Sequence, residues 1–190
     1  MVKIYVIDNG GQWTHREWRT LRDLGVDTKI VPNTAPFQEI TKEGIDGLVL
    51  SGGSPRIGIE GKLGNCGEYL EKAVFPVLGI CAGHQFMALF FGGEAKPSNI
   101  PEFGKMELTI TKDDKIFDGV PEKSVVWLSH NDEVTRIPDN FELLASSESC
   151  EIQAMKHIEK PFYGLQFHPE VEHTEYGRRI FENFVKICEK

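Results

Sequence analysis

No apolar run in this chain of 190 residues approaches the ~20 needed to cross a bilayer. The opening residues, Met1-Val2-Lys3-Ile4-Tyr5-Val6-Ile7-Asp8, enter a strand-like run without the layout of a signal peptide. Cysteine is scarce: four residues, at 66, 81, 150 and 188, form no CxxC pair and no regular spacing. That argues against a disulfide scaffold and against a zinc site, so no metal is expected. Positive charge is also in deficit, with 21 Lys and Arg against 29 Asp and Glu and a net charge of −8. A nucleic-acid partner, which needs a cationic footprint, is not expected. Repeats, low-complexity tracts and linkers are lacking as well. What remains is 40% hydrophobic and 26% charged, ordinary values for a globular chain. The expectation is one cytoplasmic domain over residues 1–190, with no membrane partner and a core that needs no staples.

The first half alternates strand and helix signals. Lys3 to Asp8 is a short β-branched and aromatic run broken by Asn9-Gly10-Gly11. A helical stretch follows, with Trp18, Leu21 and Leu24 on one face and a stop at Gly25. Thr28 to Val31 and Gly47 to Leu50 read as strands, the latter ending in Ser51-Gly52-Gly53. Asn65 with Glu68 three residues on resembles a capping box for a helix carrying Cys66, Tyr69, Leu70, Ala73 and Val74. Pro76 to Ile80 is a buried-type strand, and Gly83 to Phe91 a helix apolar almost all round. Strands alternating with helices predict a parallel sheet covered on both faces. After residue 94 the period changes to two, with strands expected around Met106 to Ile110 and over 125–128, 141–145, 151–155 and 162–167. Helical spacing returns only in Ile180, Phe181, Phe184, Val185 and Cys188. The fold class expected is therefore α/β, an open, mostly parallel sheet extended by antiparallel strands and closed by a C-terminal helix.

Gly79-Ile80-Cys81-Ala82-Gly83 stands between a buried strand and a buried helix, the setting of a nucleophile elbow with cysteine at its apex. A helix N-terminus behind a thiol favours the thiolate. Cysteine is also a common core residue, so the motif needs partners. Gly164-Leu165-Gln166-Phe167-His168-Pro169-Glu170 offers one: period-2 alternation puts His168 and Glu170 on one side of an extended segment. A histidine oriented by an acid on one nitrogen presents the other to a nucleophile. The competing reading is a surface turn with an incidental acid. Ser51-Gly52-Gly53 ends a strand at the edge where the elbow lies if both strands are parallel, and a glycine there offers an unhindered N–H. It continues as Ser54-Pro55-Arg56, without the Asp-Ser of a phosphate loop. Cys66 and Cys188 are expected in the core, Cys150 exposed and unactivated, and His15, His157 and His173 at the surface. His84 either tunes Cys81 or packs.

Together these pieces resemble class I glutamine amidotransferases, the Cys-His-Glu glutaminases. The matching motifs are Ser51-Gly52-Gly53, Pro76 through Gln85, and Phe167-His168-Pro169-Glu170-Val171. Two further segments, Val6 to Gln12 and Trp127 to Val134, are similar to one branch, the glutaminase subunits of GMP synthetases. The resemblance implies that Cys81 attacks the amide of glutamine, that Gly53 and Ala82 form the oxyanion hole, and that His168 moves the proton while Glu170 holds it. It implies that Gln85, Ser129 and His130 bind the amino-acid end of the substrate. Relatives with both activities on one chain carry an ATP-pyrophosphatase domain after the glutaminase. With this sequence ending at 190, the resemblance implies a heterodimer with a separate ATP-pyrophosphatase subunit that aminates XMP to GMP. ATP and Mg would then belong to the partner, with no cofactor in this chain, and the isolated subunit is expected to be poorly active. The sequence departs from many relatives at Ala82, where Tyr or Leu is common, and at Ser54, where proline is frequent. Rival readings are a glutaminase for anthranilate or aminodeoxychorismate synthesis, a cysteine hydrolase or peptidase of similar fold, and a binding module that has lost activity.

Overall fold

Neighbouring residues of a strand point to opposite faces, and in the first strand both sets are apolar. Ile4 and Val6 enter one core, Tyr5 and Ile7 another. Such double burial requires cover on both sides of the sheet, the condition of a parallel sheet between helices. The computed structural model, which describes residues 1–189, has this arrangement. Along the chain it runs β1 (Ile4–Asn9), α1 (Thr14–Asp23), β2 (Ile30–Pro32), α2 (Phe37–Thr41), β3 (Gly47–Gly53), α3 (Ile57–Glu60), α4 (Cys66–Lys72), β4 (Val77–Ile80) and α5 (Ala82–Phe90). Then follow β5 (Glu94–Ile110), β6 (Lys123–Arg136), β7 (Phe141–Ser146), β8 (Ala154–His157), β9 (Phe162–Leu165) and α6 (Gly177–Cys188).

The nine strands form one sheet in the order β2-β1-β3-β4-β9-β8-β7-β5-β6. Pairing is parallel from β2 through β9 and antiparallel beyond it. Strand β9 is the hinge of the topology, parallel to β4 on one side and antiparallel to β8 on the other. Ligands of open α/β sheets bind beyond the carboxyl ends of the parallel strands, so the ends of β3, β4 and β9 frame a crevice. On one face α6 buries Ile180, Phe181, Phe184 and Cys188 near α1. Each large side chain so buried contributes ~1.5–3 kcal/mol relative to exposure. On the other face α4 and α5 bury Tyr69, Leu70, Met87 and Ala88.

The structure corrects several sequence expectations. Asn65 does not cap α4: its Nδ2 donates to the carbonyls of Thr34 and Ala35, and Glu68 accepts from Phe37 N–H and Lys72. Both side chains tie α4 to the preceding loop instead. Helices α2 and α3, five and four residues long, are too short to show a period. Strand β5 spans 17 residues, starting well before the alternating segment. The strand expected over 151–155 lies at Ala154–His157. Ser129 and His130 are inside β6 rather than at a strand-end turn.

Candidate active site

Two glycines allow the elbow. A Cβ on Gly83 would stand 2.3 Å from Leu50 O, and one on Gly79 would stand 2.7 Å from the Gly83 backbone. Without side chains there, α5 starts directly against β3 and β4. The chain turns between them at Cys81, with φ 50° and ψ −104°, the only non-glycine residue at positive φ among the described residues. Such a conformation costs ~1–3 kcal/mol and persists only when its surroundings enforce it. Here Cys81 N–H donates to Leu165 O (2.8 Å), and Gln85 N–H donates to Cys81 O (3.0 Å). The strained turn places Sγ at the N-terminus of α5, where Ala82 N–H has no partner within the helix.

His168 follows β9 and is fixed from its backbone. His168 N–H donates to Trp127 O (2.9 Å), Thr174 Oγ1 donates to His168 O (2.7 Å), and Trp127 N–H donates to Thr174 Oγ1 (3.0 Å). The ring's Nδ1–H donates to Glu170 Oε1 at 2.6 Å. Nε2 is buried and without a hydrogen-bond partner among the described residues. Trp13 packs edge-on against the ring, centroids 4.6 Å apart. A Cβ on Gly52 would lie 3.1 Å from His168 Cε1 and 3.6 Å from Cys81 Cβ, so the glycine keeps open the space between thiol and imidazole. Burial disfavours the charged ring, but Glu170 and the neighbouring Cys81 outweigh it and hold His168 well above the ordinary histidine value.

A cavity of about 340 Å³ opens onto these groups, within the range of small-molecule sites. It is lined by Cys81, His168 and Glu170, by Gly53 and Ala82, and by Gln85, Ser129 and His130, so every residue singled out in the sequence converges there. Ser129 O lies 3.8 Å from Cys81 Sγ. Gln85 Nε2 donates to Asp132 O (2.6 Å) and Gln166 Oε1 (3.1 Å). The His130 ring is engaged on both nitrogens, by Asp132 O (2.9 Å) and Glu102 Oε2 (2.6 Å). Asp132 accepts from Arg56 Nε (2.9 Å) and Nη2 and from Gly58 N–H (3.0 Å), anchoring the loop after Gly53. Ser51, fully buried, accepts from Asn9 N–H and so joins the ends of β1 and β3 behind the cavity. A larger groove of about 1460 Å³ lies at the other end of β9, beside Pro161 and α6, away from these groups.

Sequence reasoning missed Glu17, Trp13, Arg56 and Glu102. For Glu17 a signal existed: Thr14, Glu17 and Leu21 share helical spacing and are the buried residues of α1. Of the other thiols, Cys66 and Cys188 are core, as expected, and burial pushes Cys66 to about 12 and Cys188 upward. Cys150 is buried, not exposed; burial and then Glu102 push its thiol up, so it is unactivated. His157 is likewise buried rather than at the surface, ringed by Phe91, Phe141 and Phe162. His15 and His173 are exposed. His84 packs: it is fully buried behind the elbow, and burial pushes it down to about 3.

The sequence model of the family described as "Glutamine amidotransferase class-I" matches residues 5–188. The glutamine-hydrolyzing subunit of a GMP synthase from Thermoplasma acidophilum is 55% identical over 189 residues, covering 99% of this chain and 94% of that protein. Its namesake from Archaeoglobus fulgidus is 46% identical over 189 residues, covering 100% of both chains. Among solved structures, a GMP synthase subunit from T. acidophilum superposes with a TM-score of 0.92 at 54% identity, covering 99% of this chain and 94% of that one. A glutamine amidotransferase from Thermotoga maritima shares the fold, with a TM-score of 0.73 at 22% identity over 97% of this chain and 81% of its own. The chain belongs to the class I glutamine amidotransferases.

Proposed function

We propose that this chain hydrolyses glutamine as the glutaminase subunit of a GMP synthetase, with Cys81, His168 and Glu170 as its catalytic groups. One observation carries the reading: a strained cysteine at a helix N-terminus shares a cavity with a histidine whose Nδ1 is committed to a buried glutamate. Cys81 Sγ attacks the side-chain amide carbon, and the N–H groups of Gly53 and Ala82 hold the oxyanion. His168 delivers a proton to the departing nitrogen, and ammonia leaves behind a glutamyl thioester. Water then attacks the thioester as His168 takes its proton; glutamate departs and the thiol is restored. Gln85, Ser129 and His130 hold the amino-acid end. With the His130 ring already engaged, its backbone is what remains for the ligand.

Ammonia released into water is protonated and lost as a nucleophile, so the product calls for a sheltered path into a second site. That site belongs to an ATP-pyrophosphatase partner, which binds ATP and Mg and aminates XMP. Support for docking near the mouth comes from Phe103, a cavity residue 62% exposed, and from exposed Ile59 and Ile100 on the packed pair α3 and β5. The test is mass spectrometry after incubation with 6-diazo-5-oxo-norleucine, in the presence and absence of the partner. One adduct, on Cys81, formed faster with the partner, is expected. No adduct in either state overturns the glutaminase reading.

A further inference from the structure

Glu17 lines the cavity but has no part in the mechanism above. It projects from α1, is 1% exposed, and has no hydrogen-bond partner on either carboxyl oxygen among the described residues. A lone carboxylate in such a place is expensive. A second acceptor in the same wall is in the same condition. Glu170 holds His168 through Oε1, while its Oε2 is buried and receives no donor. Three buried acceptor atoms thus surround one cavity with no hydrogen to share. A single proton resolves this: on Glu17 it makes a donor, and Glu170 Oε2 is the acceptor that lacks one.

We propose that Glu17 is a positioning residue whose carboxyl group shares one proton with Glu170, so that Glu17 holds Glu170 as Glu170 holds His168. The proposal rests on the glutaminase reading only for the purpose of the triad. Electrostatics supports it. Burial most strongly favours a proton on Glu17, the charge of Glu170 comes next, and Cys81 adds to both; His168 and the Gly52 N–H oppose them and are outweighed. An ionised Glu17 would set a second anion beside Glu170, in a site closed to water. The shared proton is not consumed in the reaction and stays with the pair throughout.

The test compares the full chain with Glu17→Gln and Glu17→Leu. Infrared spectra in ordinary and heavy water read the carbonyl stretch of a protonated carboxyl group. Near neutral pH the band is expected in the native chain and absent from both variants. The pH dependence of Cys81 alkylation by iodoacetamide reads the triad without requiring glutamine recognition. The charged groups acting on Glu17 are Glu170, His168 and Cys81. Glu17→Gln, whose amide still donates, is expected to keep the native profile. Glu17→Leu, similar in size with no donor, is expected to slow alkylation about tenfold. It should also move the His168 limb to higher pH, because an unshared Glu170 charge holds the ring proton harder. Absence of the native band, its persistence in Glu17→Gln, or a native profile in Glu17→Leu each overturns the proposal. A Gln form shifted as far as the Leu form also overturns it, since Glu17 would then act as an anion. Should the Gln form not fold, the Leu form carries both readings, with an unchanged band or profile overturning. Failure of the diazo-oxo-norleucine adduct alone would remove the glutaminase reading and leave the proton-sharing intact.

Discussion

Two buried histidine–glutamate pairs stand in this molecule, each with a 2.6 Å hydrogen bond, and only one can do chemistry. In the pair His130–Glu102 every position is taken. The ring is engaged on both nitrogens, and Glu102 accepts further bonds from Ser147, Ser149 and Gln153. Although burial works against its charge, those donors hold Glu102 below the ordinary carboxylate value. In the pair His168–Glu170, one ring nitrogen and one carboxyl oxygen are left over, both buried, beside a cysteine and a cavity. A saturated network rigidifies a fold, and an unsaturated one is poised for a ligand. Pairing alone does not identify the catalytic histidine; the unused atoms do.

The contrast is sharpest in His168→Gln, expected to slow glutamine hydrolysis by ~10²–10⁴ with little change in melting temperature. The matching change, His130→Leu, is expected to cost about 3 kcal/mol of folding stability in urea titrations, because Glu102 loses its cation inside the protein. If the two changes exchanged their effects, the distinction would collapse. A smaller effect is predicted for Gly52→Ala. Its methyl would press on His168 at 3.1 Å, and misplacement of that order lowers turnover by ~10²-fold, measured as kcat on a chain that still folds.

The smallest effect concerns the sign of the pH dependence. His84 is held at about 3 by burial, against 6.5 for a free ring. The unfolded chain therefore takes up a proton below about pH 6.5 that the folded chain refuses. Stability is expected to fall as pH drops from there towards 3, by up to ~1.4 kcal/mol per pH unit, and His84→Leu should remove that slope. His168 has the opposite sense. Its raised value adds stability that is fully present below the unfolded pKa and is lost as pH climbs through the folded one. Urea titrations across pH of the native chain and His84→Leu separate the two.

Much of the site was legible because its constraints are local. Gly79 and Gly83 are dictated by backbones in contact, and His168 and Glu170 by the period of an extended segment. What escaped was set by distant neighbours. His157 has polar company in sequence, Lys156, Glu159 and Lys160, yet three phenylalanines from separate elements enclose it. Cys150 lies in a Ser/Glu-rich turn that reads as solvent-exposed, and the turn folds inward because Ser147 and Ser149 serve Glu102. Glu17 reads as a solvated helix charge until the sheet brings Glu170 beside it.

Sequence by itself determined the strand–helix alternation, the elbow and the His-Pro-Glu segment, since each follows from chain geometry over a few residues. Only the tertiary structure decided which histidine keeps a nitrogen free, which thiols are silenced and where Glu17 points. Those outcomes depend on desolvation and on hydrogen-bond partners tens of residues away, and neither quantity exists until the sheet has closed around them.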